Sequence, residues 1–375
     1  MDLSRQWSFA EAHPPDIEAG VNKSAMGAVK GVLKYLIGFG LLGYVIYKYR
    51  VDLERLLQQP PNWWYMLAVA GIVVGCMTLQ YTRWFILVRA LDLPFKPRDA
   101  VRLGLVGTFY NTFLPGSVGG DLVKAYYIAQ GQPTRRAAAV ATVMADRLLG
   151  LFGLILYIAA VGGGCWLAGD ERIAANEYLQ DIIRISAGIV VFTVITWILI
   201  GLLSHHRADR FGQRLASVPK IGGTLAELWF AVRQYSQRPK TVLTCVALSA
   251  ITHTGFVLMF HLAVRVFPPL NLELLGSLPE HFVIAPIGYI GQAFFPAPGG
   301  VGGGEAIFGY LYEVIRGKDG VAVGVAGRLT LRLCEWSFGL VGYIAFLRMK
   351  GQIVKAEHDA EDSGMPVPPK EEQPQ

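Results

Sequence analysis

The chain has 375 residues, 53% of them hydrophobic and only 17% charged, with a mean hydropathy of +0.39. Soluble globular proteins carry about 25% charged residues, so the composition excludes an ordinary soluble domain and points to lipid as the solvent. The net charge of +6 does not indicate nucleic acid, because the basic residues cluster between apolar runs, as in membrane proteins that keep Lys and Arg on the cytoplasmic side.

Residues 1–29 hold no apolar core and are expected to form a cytoplasmic N-terminal segment. Gly31–Tyr47 is apolar apart from Lys34. It is too long for a signal-peptide core and lacks a small-residue cleavage site, so it reads as a retained span. Tyr65–Gln80 is the second span; extended through Trp63 and Trp84 it reaches the roughly 20 residues that a crossing needs. Ala137–Leu167, Ile185–Leu203, Thr241–Val266 and Val321–Leu347 complete six. The membrane domain is therefore expected over residues 30–350. Residues 351–375, rich in Glu, Asp, Lys and Pro, are expected to be a disordered cytoplasmic tail. Cys76, Cys165, Cys245 and Cys334 stand singly in apolar runs, so neither a disulfide nor a metal centre is expected.

Arg83, Arg89, Lys96, Arg98, Arg102, Lys124, Arg135 and Arg136 follow the second span. Arg207, Arg210, Arg214, Lys220, Arg233, Arg238 and Lys240 follow the fourth. Both stretches are expected to be cytoplasmic. Asp170–Asp181, with Asp170, Glu171, Glu177 and Asp181 against Arg172, is expected outside. Six spans satisfy every loop with both termini cytoplasmic. Ala100–Gln130 and Leu272–Arg316 are left over, each broken near its middle by Pro and Gly. These are expected to enter the bilayer and return; eight full spans is the alternative.

The two broken segments resemble each other. "NTFLPGSVGGD" (Asn111–Asp121) and "QAFFPAPGGVGGGE" (Gln292–Glu305) both run amide, Phe, Pro, Gly cluster, acid. Farther on, "FGLILYIA" (Phe152–Ala159) matches "FGLVGYIA" (Phe338–Ala345) at six of eight positions, and Arg147 and Arg332 precede them. Two repeats are expected, over residues 63–167 and 241–347. Three spans separate their starts, so the second enters from the opposite face. The fold class expected is thus an all-α polytopic membrane protein of two inverted repeats, each with a Pro/Gly-broken re-entrant helix hairpin.

A break in hydrocarbon leaves backbone groups unmet and survives only against protein or a polar cavity. Pro115, Gly116, Gly119 and Gly120 form the first break; Pro298, Gly299, Gly300 and Gly302 form the second. The helices that restart there present N–H groups that favour an anion. Asp121 and Glu305 at those starts read either as N-terminal caps or as groups that couple a proton or cation, or pair with an arginine. Lys124, three residues on, is a snorkelling lysine or a site residue. Arg147 lies about 15 Å into its span by helical rise, a depth at which a charge needs a partner or a cavity. Asp146 points some 100° round the helix from it. Arg328, Arg332 and Glu335 share one helix face, where Glu335 either neutralises Arg332 or leaves the arginines to an anion. Asn111 and Gln292 are placed to orient a headgroup.

Weaker signals exclude more than they assign. "GSVGGDLVK" lacks the spacing of a nucleotide-binding loop. His253 and His261 lack further ligands for a metal. No nucleophile–base pair suggests an enzyme, and no cofactor is implied. Arg207–Ser236, with Phe211, Leu215, Leu225 and Trp229, reads as a connector that is either structural or laid on the anionic inner leaflet.

At "NTFLPGSVGGDLVKAYYIA", "ADRLLGL", "PAPGGVGGGEAIFGY" and the arginine-bearing last span, the chain resembles the lysylphosphatidylglycerol synthase transmembrane-region family, the flippase-like integral membrane proteins. The resemblance covers about residues 30 to 350. It implies inverted repeats with re-entrant helices in a bacterial plasma membrane, and movement of lipids or lipid-linked groups between leaflets. Lys124 stands where the family often has arginine, which weakens bidentate phosphate binding there, and "GGGE" replaces bulkier residues. No aminoacyl-transferase domain follows the last span, so lipid synthesis is not expected. The function expected is a flippase for a phospholipid or lipid-linked anionic headgroup, held in a buried, positively biased chamber between the two hairpin tips. The alternative is a non-transporting partner that presents lipid-linked substrate to a separate transferase. Membrane lipids are the expected partners, and a homo-oligomer is left open.

Overall fold

A computed structural model describes residues 25–113, 119–132, 134–169, 177–218 and 222–362. Its regular elements are helical: α1 (Ala25–Lys48), α2 (Arg50–Leu57), α3 (Trp63–Ala90), α4 (Pro97–Phe113), α5 (Gly119–Gln130), α6 (Arg136–Tyr157), α7 (Glu177–Leu202), α8 (His205–Ala216), α9 (Gly222–Ser236), α10 (Pro239–Ala263), α11 (Leu278–Phe294), α12 (Gly303–Arg316) and α13 (Val321–Asp362). The starts follow local chemistry. Asn62 Oδ1 accepts from the backbone N–H groups of Trp64 and Tyr65 and so caps α3. Ser277 and Glu280 form a reciprocal capping box at α11, satisfying donors that a helix start otherwise leaves open. α6 passes into a π-helical turn, Ile158–Gly162, before a last helical turn, Gly163–Leu167.

Among the described residues, five helices are long and apolar enough to cross a membrane: Gly31–Lys48, Trp63–Ala90, Arg136–Leu167, Glu177–Leu202 and Pro239–Ala263. The sixth expected span lies on α13 and is not among them, since Arg328, Arg332 and Glu335 dilute its apolar character. The tail expected to be unstructured from residue 351 instead continues α13 to Asp362; its Lys, Ala and Glu residues are good helix formers. The acidic loop expected outside falls partly beyond the described residues, at 170–176.

Hydrogen bonds tie the helices into two ends. At one, Tyr235 Oη donates to Leu87 O (3.0 Å), Arg135 to Leu91 O (2.8 Å) and Gln132 to Pro94 O (2.9 Å). The end of α3, the open ends of α4 and α5, and the starts of α6 and α10 therefore gather there. At the other, Asn62 N donates to Val266 O (2.7 Å) and Arg265 to Gly276 O (2.7 Å), while Arg316 pairs with Glu280. The start of α3, the end of α10 and the open ends of α11 and α12 gather at this second end. Trp84, Leu87, Leu91 and Leu103 anchor one core; Phe260, Phe308, Tyr312 and Val325 anchor another. The end of α4 meets the turn between α11 and α12, where Gly299 lies against Thr112. α1 crosses both: Tyr35 Oη donates to Phe113 O (2.6 Å), and Gly38 O presses on Gly302.

Asp92, in the loop after α3, adopts a positive φ of 56° and pairs with Arg238 at 2.6 Å. The Arg238 guanidinium holds its carboxyl below the usual range. A depressed folded-state pKa gives stability that is present above the unfolded value and lost as pH falls through the folded one. Both side chains are solvent-exposed, so the pair contributes at most about 1 kcal/mol. Asp92→Asn, which tolerates the same backbone region, is expected to lose that much at neutral pH and to flatten the acid limb of the unfolding curve. A pH series of thermal unfolding checks this.

Candidate functional site

Gly299, Gly300 and Gly302 form the turn between α11 and α12 with φ values of 55°, 67° and 79°, a region open mainly to glycine. Pro298 is buried and starts the short 3-10 turn Pro298–Gly300. The fold at this turn aims carbonyls inward and restarts a helix directly beneath them. Glu305, fully buried, accepts from Gly302 N (2.7 Å) and from Arg332 Nε (2.9 Å) and Nη2 (3.2 Å). Arg332 reaches over the turn, donating from Nη1 to Gly299 O (2.5 Å) and from Nη2 to Gly300 O (3.2 Å). Gln292 Oε1 accepts from Arg328 Nε (2.8 Å), and its Nε2 donates to Gly299 O (3.1 Å). Arg328 Nη2 donates to Glu335 (2.9 Å). Arg328 Nη1 is buried with no partner among the described residues.

The α4/α5 pair is built on the same plan with a different exposure. Pro115 and Gly116 lie outside the described residues. Gly119 opens α5, and Asn111 Oδ1 accepts from Gly120 N (2.8 Å), so this amide also ties its own pair of helices together. Asp121, buried, is held by Arg147, whose Nη2 donates to Oδ1 (2.8 Å) and whose Nε contacts Oδ2. Lys124 Nζ stands 3.3 Å from Asp121 and 5.1 Å from the centre of the Trp84 ring. The difference lies in access: the Arg147 side chain is 52% exposed and that of Arg332 only 3%.

Glu335 pairs with Arg332 (3.6 Å), as one of the two readings expected, and lies closer still to Arg328 (2.9 Å), one turn farther along the same face. The expected positive bias is not found at the second turn among the described residues: Arg328 and Arg332 are matched by Glu305 and Glu335, whereas Asp121 faces both Lys124 and Arg147. Asn111 and Gln292 are engaged with their own turns rather than free. Asp146, placed beside Arg147 in the sequence, turns instead to Arg83 (2.7 Å), whose Nη1 also donates to Ser249 (2.7 Å). In the sequence Arg83 reads only as a basic residue after the second span; its place within α3, directly before Trp84, is the signal that marks it as buried. His253 meets Gly150 O (3.0 Å), and His261 meets His281 (2.8 Å), each away from both turns.

Two carboxylate–arginine pairs thus stand at two helix starts, with the end of α4 against the α11/α12 turn, inside an apolar bundle. No curated protein and no solved structure matches the chain. A family model described as "Lysylphosphatidylglycerol synthase TM region" matches residues 31–340, which contain both turns, both pairs and all five apolar helices. The chain is an integral membrane protein and belongs to the lysylphosphatidylglycerol synthase transmembrane-region family.

Proposed function

We propose that the protein is a transporter, not an enzyme, that moves a phospholipid or lipid-linked anionic headgroup between leaflets of a bacterial inner membrane. In this reading α4/α5 and α11/α12 are re-entrant hairpins of two inverted repeats, accompanied by six spans. The gathering of their open ends at opposite ends of the bundle supports it. Both termini lie on the basic, cytoplasmic side.

The observation that carries the proposal is the unequal exposure of two like pairs. Arg147 is half open and Arg332 is sealed, as expected of one site seen with access from one side. A headgroup phosphate takes the exposed face of Arg147 and displaces Asp121, which is not orphaned because Lys124 already stands at 3.3 Å. The restarted α5 adds backbone N–H groups to the anion. On the other side, the Glu305–Arg332 pair holds its turn shut until the anion arrives. Burial of a charge-assisted hydrogen bond contributes about 1.5–3 kcal/mol, so Arg147→Gln is expected to slow translocation by roughly ten- to a hundredfold. Proteoliposomes with fluorescent phosphatidylglycerol, at matched protein abundance, measure it. Unchanged translocation by Arg147→Gln would sink the assignment of this residue. No translocation of any anionic lipid by the parent protein would sink the transport reading itself.

A further inference from the structure

We infer that α8 (His205–Ala216) is a second, peripheral anionic-lipid site: a helix held in the headgroup layer with a face of three arginines against the bilayer surface. α7 stays apolar to its end, with Ile198 52%, Leu199 60% and Leu202 77% exposed, so hydrocarbon reaches Leu202. α8 starts three residues later, within about 10 Å at full chain extension, which is the depth of the headgroups.

Its position is fixed from behind by α9. Arg233 donates to Ile200 O (2.6 Å) and Gly201 O (2.9 Å) and also reaches Leu203 O, closing the last carbonyls of α7. Trp229 Nε1 donates to Ala208 O (3.0 Å), the Trp229 and Phe211 rings meet edge to face at 4.6 Å, and Gly212 lies under Phe230. Ala208 and Gly212 are the buried residues of α8.

Arg207, Arg210 and Arg214 follow i, i+3, i+7 and share another face. All three are exposed and carry no ion pair among the described residues. Asp209, the acid of this helix, falls on a different side, about 200° on from Arg207. Ala208 and Gly212 are covered by α9 and the Phe211 ring, 46% exposed, rests on Trp229; contact of the arginine face with the bilayer is electrostatic and answers to salt. The charge complementarity fits anionic phospholipid headgroups. The site is separate from the transport residues, because its hydrogen bonds and ring contacts run to α9 and, through α9, to the end of α7.

Hydrogen–deuterium exchange of the full chain in phosphatidylcholine nanodiscs, with and without phosphatidylglycerol, tests it. Phosphatidylglycerol is expected to slow exchange of residues 205–216 at low salt and not at high salt. Charge reversal of Arg207, Arg210 and Arg214 to glutamate is expected to abolish that effect. Substitution of the same three by lysine is expected to retain it, and a parental unfolding temperature for both variants excludes misfolding. Identical exchange in the two lipids, or a phosphatidylglycerol effect that survives charge reversal, would overturn the inference. Slowing seen only when soluble cytoplasmic protein is added would also overturn it, assigning the face to a protein partner.

Discussion

Replacing Arg332 with alanine is expected to destabilise the fold by about 3–5 kcal/mol, the range for breaking a buried ion pair from one side. The side chain is 3% exposed and its partner Glu305 is fully buried. Without it, the Glu305 carboxylate keeps Gly302 N but loses its counter-ion, the carbonyl of Gly300 loses the Arg332 donor, and that of Gly299 is left with Gln292 Nε2 alone. Those carbonyls belong to a turn at positive φ whose backbone has no helix partner to return to. Glu305→Ala leaves the opposite orphan, a guanidinium between two carbonyls, with Arg328 nearby and one acid, Glu335, for both. The double variant Glu305→Leu, Arg332→Met removes both charges. Because the residues are in contact, its cost should fall below the sum of the singles by about 0.5–3 kcal/mol. Unfolding in detergent, followed with a thiol-reactive dye on the free cysteines Cys76, Cys165, Cys245 and Cys334, reads all three. An Arg332→Ala protein as stable as its parent would mean that water already reaches the turn, and the sealed state would have to be abandoned.

The contrast between Arg332 and Arg147 also marks how far the sequence was legible. Apolar length announces five of the long helices, because the bilayer demands it of each span separately. The second Pro/Gly break announces the turn between α11 and α12, since local backbone chemistry decides where a helix stops. The order of acid and arginine suggested that Asp121 and Glu305 meet arginines, and they do. What could not be read is where side chains point once helices from distant parts of the chain are packed. Asp146 stands beside Arg147 yet serves Arg83, 63 residues earlier. Glu335 lies three residues from Arg332 and favours Arg328. The unequal exposure of Arg147 and Arg332 is likewise a property of neighbours: the second turn lies over Arg332, whose side chain is 3% exposed, while that of Arg147 is 52% exposed. The α8–α9 pair was visible only as a basic connector, because its fixing contact, Arg233 on the last carbonyls of α7, joins two elements by backbone acceptors that no pattern of side chains displays.

Gly120→Ala is the substitution expected to change most for the fewest atoms. A Cβ on Gly120 would lie 1.9 Å from Gly107 O and 2.8 Å from the Asn111 side chain, and backbone cannot yield as a flexible side chain can. Small residues at such positions let two helices approach closely inside a membrane. The added methyl must therefore push α5 off α4, at a cost of about 1–3 kcal/mol or more. The displacement begins at the residue next to Asp121, so it also breaks the Asn111–Gly120 hydrogen bond and shifts Asp121 relative to Arg147 and Lys124. Loss of translocation should thus exceed what the loss of stability predicts. Gly75→Ala in α3 is the control: a Cβ there meets nothing within 4 Å, and replacing a mid-helix glycine is worth up to about 1 kcal/mol in favour of the helix. Unfolding midpoints for the two variants should move in opposite directions. If they moved together, the close contact between α4 and α5 would not exist in the membrane, and the position of Asp121 at the first turn would lose its support.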